Sequence, residues 1–340
     1  MIALCRSLFA ATATLALLVV SAHAATPPRP GATAPSPIPV IFDTDIGDDI
    51  DDTWALVMLL KSPNLDVRLI TTDYGNTVYR ARVVARLLEV AGRTDIPIGI
   101  GNRENENEGA QAEWVSDYDL KSFPGTVHED GVQALIDTTM ASDEPLTLIA
   151  VGPPPSLAAA LEREPRIASR LRLAGMYGSL RRGYGGRAEP DAEWNVRANI
   201  AAARALLAAP WADAISTPLD TCGVVDLKGD RYARVRDSKD PLVLALMENY
   251  RLWCAGNEWC SKDPGQVEAK SSTLFDTVAV YLAEARDLVK TETLGVRVDD
   301  EGMTVLDETS PSLAWATEWK SLEKFEELLV ERLTGAGVPR

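Results

Sequence analysis

The chain has 340 residues, a formal net charge of −16 and an isoelectric point near 4.7. This acidic balance argues against nucleic acid as a partner, because phosphate binding needs clustered lysine and arginine. The length suffices for one large α/β domain or two smaller ones with a sizeable core.

The first 24 residues predict a secretory signal peptide. Arg6 provides a positive start, residues 8–20 are apolar, and residues 22–24 (Ala-His-Ala) form a small-x-small cleavage site. The apolar stretch is short for a membrane span, which favours cleavage over an uncleaved anchor. We therefore expect a periplasmic or secreted protein without membrane contact, in which the proline-rich residues 25–38 form an extended linker.

Residues 39–340 are expected to form one folded domain. Apolar runs with strand character alternate with stretches of helical spacing, which predicts a single α/β domain with a mainly parallel sheet and helices on both faces. Polar, glycine-containing stretches at 101–127 and 178–192 predict long loops. The predicted strands are 40–42, 65–72, 96–100 and 145–151, and the predicted helices are 54–60, 78–91, 131–140, 156–162 and 321–333.

An unusual density of carboxylates follows the first predicted strand. Six aspartates stand within ten positions, namely Asp43, Asp45, Asp48, Asp49, Asp51 and Asp52. They would repel one another unless a hard divalent cation neutralised them. The carboxyl end of a parallel strand is also where α/β proteins usually bind ligands. An EF-hand is excluded, because Gly47 stands where the fifth position of that loop needs an oxygen ligand.

The same run resembles the signature of the inosine-uridine preferring nucleoside hydrolases, Asp-Thr-Asp-Pro-Gly-x-Asp-Asp-Ala-x-Ala-Leu. Residues 43–47 (Asp-Thr-Asp-Ile-Gly) and 51–56 (Asp-Asp-Thr-Trp-Ala-Leu) match it, with two extra residues between the glycine and the paired aspartates. Asp51-Asp52 is taken as the matching pair, because Asp48-Asp49 would leave the following helix out of phase. Four further motifs follow in the family's order, at 71–77, 151–153, 192–195 and 274–277.

The resemblance implies a nucleoside-hydrolase fold and Ca²⁺-dependent hydrolysis of the N-glycosidic bond of ribonucleosides, which releases free base and ribose. Asp45 would be the general base for the attacking water, and Asp43 would lie behind the metal ligands. The implied calcium ligands are Asp45, Asp52, Asp276 and the Val151 carbonyl. The implied ribose-binding residues are Asp51, Asn76, Glu193 and Asn195.

Several of these residues have simpler interpretations. Asp48 and Asp49 are expected to be solvated loop charges. Asn76 could belong to an ordinary turn, and Asp276 could cap the helix that follows it. Trp194 is expected to pack in the core rather than stack on a base, and Trp114 or Trp253 could stack instead.

The sequence also departs from the family pattern. Some members place a histidine, proposed to protonate the leaving base, where this chain has Phe275, and Arg187 stands where an asparagine is common. His128 is the one histidine after the signal peptide. It is a candidate leaving-group acid or hydroxyl ligand, with an ordinary surface histidine as the alternative. These departures keep open a relative that binds nucleoside or ribose without cleaving it.

A different enzyme class is also compatible with the aspartate run. Asp-x-Asp at a strand end permits a Mg²⁺ phosphatase with Asp43 as nucleophile and Asp45 as acid/base. However, no convincing Ser/Thr and Lys pair for phosphate follows at later strand ends.

Cysteine usage and assembly leave two further questions. Cys254 and Cys260 could close a small disulfide loop in an oxidising compartment, with Cys222 unpaired; the alternative is three free thiols. The resemblance implies a small-molecule nucleoside substrate. It also allows a homo-oligomer, since the family is commonly dimeric or tetrameric.

Overall fold

The computed structural model describes residues 36–263 and 265–335. The predicted signal peptide (1–24) and most of the predicted linker (25–38) lie outside these residues. The first strand begins at Ile38, one residue before the expected start of the domain. Within the described ranges, no helix combines the length and the apolar character that a bilayer span requires.

A ten-stranded sheet forms the centre of the described chain, in the order β4-β3-β2-β1-β5-β6-β7-β10-β8-β9. The strands from β4 to β10 in this order run parallel, and β8 and β9 complete the sheet with antiparallel pairings. The strands are β1 Ile38–Thr44, β2 Leu65–Thr72, β3 Ile98–Ile100, β4 Val127–His128, β5 Leu146–Ala150, β6 Leu171–Met176, β7 Asp213–Thr217, β8 Val289–Val298, β9 Thr304–Leu306 and β10 Ser312–Trp319.

Helices occupy most of the connections between strands. Short 3₁₀ turns at Ala112–Val115 and Leu120–Ser122 lie within the predicted loop 101–127. The α-helices are α1 Asp51–Leu60, α2 Thr77–Ala91, α3 Gly131–Ala141, α4 Pro155–Arg163, α5 Trp194–Ala198, α6 Ile200–Ala208, α7 Leu219–Cys222, α8 Gly229–Arg236, α9 Pro241–Gly256, α10 Glu258–Ser261, α11 Gln266–Ala269, α12 Thr277–Glu284 and α13 Leu322–Thr334.

Two apolar clusters, one on each face, enclose the sheet. Phe42 and Ile149 belong to the cluster that also contains side chains of α1, α2, α9, α12 and α13. The neighbouring residues Ile41 and Leu148 belong to the cluster formed with α3, α4 and α6. Alternate residues of a strand point to opposite faces, so the central strands are buried on both sides. The expected α/β domain with helices on both faces is confirmed.

The strand order reverses between β1 and β5. From β1 the chain continues through β2 and β3 to the β4 edge, and then returns to add β5 on the other side of β1. Loops that leave the carboxyl ends of these two strands diverge and open a crevice, which is the usual ligand site of such sheets. The aspartate run begins with Asp43 within the end of β1 and continues beyond this strand, and Val151 follows β5.

Candidate active site

A cavity opens at this reversal point, and most of the residues expected to form a site meet in it. Its walls come from the β1–α1 loop, the ends of β5 and β6, the start of α5 and the residues before α12. The lining residues are Asp45, Asp48, Asp49, Asp51, Asp52, Val151, Met176, Tyr184, Glu193, Trp194, Asn195, Phe275 and Asp276.

Asp45 lies just beyond β1, and its side chain is buried. Burial raises the pKa of Asp45 to about 7, although the nearby Arg80 guanidinium opposes this shift. Arg80 is itself buried and donates hydrogen bonds to the backbone carbonyls of Asp45 and Ile46, the latter at 3.0 Å. It also pairs with Asp48 at 2.7 Å. Arg80 therefore fixes the path of the loop that carries Asp45.

Three further carboxylates form a compact group. Asp51 and Asp52 begin α1 and Asp276 directly precedes α12, and all three offer an oxygen within 4.8 Å of the other two. Burial first, and then repulsion among the acids, raises the pKa of each. None of the three forms an ion pair with a residue that the structure describes. The Arg80 guanidinium lowers the pKa of Asp52, but Arg80 already pairs with Asp48, so one cation is shared among several acids.

This donor set fits a hard divalent cation. Such ions prefer carboxylate and carbonyl oxygens, and a buried acidic group without a cationic partner is costly unless an ion neutralises it. The Val151 carbonyl lies in the same cavity and accepts a hydrogen bond from the Asn195 amide at 2.9 Å. A carbonyl oxygen has two lone pairs, so one remains for a ligand.

Asp276 does not cap its helix. It occupies the N-terminal capping position of α12, but its side chain accepts no capping hydrogen bond there. The simpler interpretation of this residue therefore lacks the contact that would support it.

Hydrogen bonds hold Glu193 and Asn195 in place in the same cavity. One Glu193 carboxylate oxygen accepts from the Asn195 backbone N–H at 2.7 Å, and the other accepts from the Gly178 N–H at 2.9 Å. Burial raises the pKa of Glu193 to about 7. The Asn195 amide donates to the carbonyls of Val151 and Met176, so it ties the ends of β5 and β6 together. Both side chains are consequently held in one orientation.

Asn76 and His128 are not among the lining residues of this cavity. Asn76 caps α2, where its side-chain oxygen accepts from the Tyr79 N–H at 3.1 Å. His128 is exposed on β4, at the edge of the sheet and three strands from β1. His128 is therefore not part of the acidic cavity. It lies in β4, which pairs with β3 at the edge of the sheet.

Aromatic side chains form the rest of the wall. Trp194 lines the cavity and is 45% exposed, so the expectation that it packs in the core is wrong. The first turn of α5 points residue 194 outward, while its neighbours Glu193 and Asn195 point inward. Tyr184 and Phe275 meet edge to face, with ring centroids 5.9 Å apart.

Two other residues considered from the sequence, Trp114 and Arg187, are not among the lining residues of this cavity, whereas Asp48 does line it. Trp114 is buried and donates from its indole to Glu248 at 3.2 Å. Arg187 is largely exposed and pairs with Asp191 at 2.5 Å. Asp48 is half exposed, as expected for a loop charge, but it pairs with Arg80.

A second cavity adjoins the first. It has a volume of about 460 Å³ and shares Asp49, Tyr184 and Phe275 with the acidic cavity. Trp253 and Cys260 line its far side. Cys260 is joined to Cys254 in a disulfide, whereas Cys222 is buried and free. Of the two alternatives that the sequence left open, the disulfide is the one present, and it ties the end of α9 to this wall.

Asp43 is fully buried and does not line the acidic cavity. Its carboxylate accepts a hydrogen bond from the Thr71 hydroxyl, and its other oxygen has no partner in the described chain. Burial, followed by repulsion from Asp73, raises its pKa. A nucleophile must reach its substrate, so this placement argues against the phosphatase alternative.

Arg80, Tyr184 and Gly152 were not found from the sequence. Tyr184 lies in the predicted loop 178–192, where the sequence did not indicate which side chains would reach the cavity. A Cβ atom at Gly152 would lie 2.7 Å from a carboxylate oxygen of Asp45. The absence of a side chain at Gly152 therefore allows the end of β5 to approach Asp45. The glycine of the Val-Gly-Pro motif at 151–153 was the feature of the sequence that could have indicated this close approach.

The fold and the cavity together define an α/β protein with a carboxylate-rich ligand site. Residues 40–327 match the family described as "Inosine-uridine preferring nucleoside hydrolase". This match covers most of the chain, and the protein belongs to that family. The resemblance seen in the sequence is confirmed.

Individual relatives are more distant. The chain is 29% identical over 219 residues to "Probable uridine nucleosidase 2" of Arabidopsis thaliana, a match that covers 61% of this chain and 67% of the relative. It is 31% identical over 170 residues to "Pyrimidine-specific ribonucleoside hydrolase RihA" of Escherichia coli O1:K1 / APEC, which covers 47% of this chain and 53% of the relative. The match thus spans about two thirds of the first relative's length and about half of the second's.

Solved structures share the fold. The plant nucleoside hydrolase PpNRh1 superposes with a TM-score of 0.73 at 24% identity, over 88% of this chain and 100% of its own. A purine-preferring ribonucleoside hydrolase from Gardnerella vaginalis gives a TM-score of 0.71 at 22% identity, over 87% of this chain and 98% of its own. At these identities the comparison establishes architecture only.

Proposed function

We propose that the protein hydrolyses the N-glycosidic bond of ribonucleosides with the help of Ca²⁺. The observation that carries this proposal is the meeting of Asp45, Asp51, Asp52 and Asp276 with Glu193 and Asn195 in one cavity at the sheet reversal. Family membership supports the reaction class. We further propose that the mature protein is periplasmic or secreted, on the basis of the N-terminal sequence.

The reaction requires a nucleophilic water and stabilisation of an oxocarbenium-like ribosyl group. A pKa near 7 suits Asp45 to accept a proton from the attacking water at neutral pH. The remaining buried carboxylates provide negative charge next to the sugar ring, where positive charge develops. Asp45, Asp52, Asp276 and the Val151 carbonyl are the groups that would hold a divalent cation. When bound, the cation supplies Lewis-acid polarisation and charge neutralisation.

Ribose binding is assigned to Glu193, Asn195 and Asp51, which line the cavity together with the proposed cation ligands. Glu193 and Asn195 keep fixed orientations through backbone hydrogen bonds, so little conformational entropy would be lost when hydroxyl groups dock against them. Asp51 lines the same cavity. A sugar bound among these groups would present its anomeric carbon to the water that Asp45 activates.

Uridine is the first substrate to test, because two relatives are named for uridine or pyrimidine ribonucleosides. Reducing-sugar release should be measured from uridine, cytidine, inosine and adenosine, with the protein lacking residues 1–24, in Ca²⁺ and in EDTA. We expect ribose with Ca²⁺ and none with EDTA. If the protein binds Ca²⁺ but releases no ribose from any nucleoside, the result would instead favour a protein that binds nucleoside without cleaving it. Phe275 is the residue that suggested this alternative.

Asp45→Asn is the variant that tests the assigned base. It should lower kcat by about 10²–10⁴-fold, the usual contribution of a general base, with a smaller change in KM. The matched control is Asp143→Asn, because Asp143 is an exposed aspartate between α3 and β5. Unchanged turnover in Asp45→Asn would refute the mechanism.

A further inference from the structure

This inference deepens the proposed hydrolysis and rests on it. Cleavage leaves negative charge on the departing base, which a hydrogen-bond donor can stabilise. The family resemblance implies such a donor, a histidine before the late aspartate, in some members only; here that position is Phe275, and His128 lies at the sheet edge. The donor must therefore come from elsewhere in the cavity.

Tyr184 is suitably placed to be this donor. It lines the acidic cavity and the adjoining one, and its ring meets Phe275 edge to face at 5.9 Å. Its hydroxyl oxygen accepts a hydrogen bond from the Trp194 backbone N–H at 2.9 Å. Within residues 36–263 and 265–335, its O–H has no acceptor. One side of the hydroxyl is thus fixed by the protein while its proton remains free for a ligand.

Three other donors near the cavity are committed or face elsewhere. The Tyr177 hydroxyl donates to the Gly152 carbonyl at 2.8 Å. The Asn195 amide donates to the carbonyls of Val151 and Met176. The Trp194 ring meets Tyr74 rather than Phe275, with centroids 6.3 Å apart, so its indole lies toward the β2 side.

The geometry points to Tyr184 as the residue that donates a hydrogen bond to the departing base, in place of the histidine that Phe275 replaces. The bond between the anomeric carbon and the base nitrogen breaks, and its electron pair goes to the base. A bond forms from the water oxygen to the anomeric carbon, and the water proton goes to Asp45. Tyr184 stabilises the charged base through a carbonyl oxygen or ring nitrogen. The base then takes a proton from solvent, and Asp45 returns its own to solvent.

The environment of Tyr184 favours a neutral donor. Burial, with the negative charge of Glu193 next, raises its pKa. The hydroxyl consequently keeps its proton over the whole range in which the protein would be assayed. The adjoining cavity of about 460 Å³ lies beyond Tyr184 and Phe275 and gives the base a place to depart.

The test compares two leaving groups on the same sugar. Uracil leaves poorly without hydrogen bonding, whereas p-nitrophenolate is a stable anion that needs no donor. Tyr184→Phe keeps the ring and removes only the hydroxyl. We expect kcat on uridine to fall about 10²-fold, as when one transition-state donor is removed, while kcat on p-nitrophenyl β-D-ribofuranoside changes little.

The controls separate this role from a structural one. Tyr118→Phe removes a hydroxyl outside both cavities and should leave both activities unchanged. In the Tyr184→Phe background, Phe275→His should restore part of the uridine activity. Equal losses on the two substrates, or no loss on uridine, would overturn the inference. If the wild-type protein cleaves neither substrate, the proposed function itself fails.

Discussion

At the scale of single residues, the negative charges of the acidic group lower the stability of the metal-free protein but are needed for binding a cation. Asp51, Asp52 and Asp276 are buried beside one another, and none of them forms an ion pair with a residue of the described chain. In the metal-free protein each charged carboxylate lowers stability, because it is desolvated and repelled by its neighbours. The same three charges are what attract a divalent ion.

Asp276→Asn should therefore raise the stability of the metal-free protein and reduce the stabilisation that Ca²⁺ provides. Without metal at pH 7.5, the melting temperature should rise by about 1–3 °C, because about 1 kcal/mol corresponds to roughly 2–4 °C in domains of 150–250 residues and to less in a larger one. The stabilisation that Ca²⁺ gives the wild-type protein should largely disappear. Differential scanning calorimetry in EDTA and in Ca²⁺ measures both, with Asp143→Asn as control. A variant still stabilised by Ca²⁺ to the wild-type extent would remove Asp276 from the ligand set.

Single residues also show which parts of the site could be predicted from the sequence and which could not. The aspartates, Glu193 and Asn195 could be found because they stand in contiguous motifs. Arg80 could not, because its role depends on contacts with a loop some 35 positions earlier in the chain. Trp194 was misassigned because its neighbours are buried, whereas the turn of α5 directs it outward.

At the scale of elements, the site depends on how closely the ends of β1 and β5 approach. Strands β1, β2, β3 and β5 were predictable from apolar runs, and α2, α3 and α4 from helical spacing, with bounds within a few residues. Strand β4 and strands β6 to β10 were not assigned. The antiparallel edge of β8, β9 and β10 departs from the strand–helix alternation, so the pattern that identified the rest gives no signal there.

Gly152→Ala tests this approach of the two strand ends. The added Cβ would lie 2.7 Å from a carboxylate oxygen of Asp45 and 2.9 Å from its backbone nitrogen, so the backbone must shift. We expect a loss of stability of about 1–3 kcal/mol, as in other overpacked sites, and at least a tenfold loss of kcat, since small displacements of catalytic groups are costly.

Gly256→Ala is the matched control, because a Cβ at this last residue of α9 meets nothing within 4 Å. Urea unfolding and steady-state kinetics give the two quantities. If Gly152→Ala retains full activity, the close contact with Asp45 is not needed for function.

At the scale of the whole molecule, the parallel sheet gathers acids from distant parts of the chain at one edge. The motifs predicted that these acids would meet, because the carboxyl ends of parallel strands lie on the same side of a sheet. The sheet order itself was not predictable, since it depends on long-range pairing. The protein therefore places at least six buried carboxylates around the reversal point, with raised pKa values at Asp43, Asp45, Asp51, Asp52, Glu193 and Asp276.

This concentration of acids predicts an inverted pH dependence for the metal-free protein. Burial raises the pKa of Asp45 and of Glu193 to about 7, whereas unfolded carboxyl groups titrate near 4. Between these values the folded state binds more protons than the unfolded state, so the free energy of unfolding falls as pH rises from about 4 to 7. Acids with lowered pKa values, such as Glu292 at about 2, affect the pH dependence of stability only below about pH 4.5.

Thermal unfolding across pH 4.5–8 checks this in EDTA and in Ca²⁺. In EDTA the melting temperature should decrease with pH over the window, and in Ca²⁺ the decrease should be absent, because the ion favours the charged carboxylates. The stabilisation by Ca²⁺ should therefore be larger at pH 7.5 than at pH 5. A metal-free melting temperature that stays level or rises between pH 5 and 7.5 would mean that these carboxylates are already compensated within the protein, and it would remove the electrostatic argument for a cation at this site.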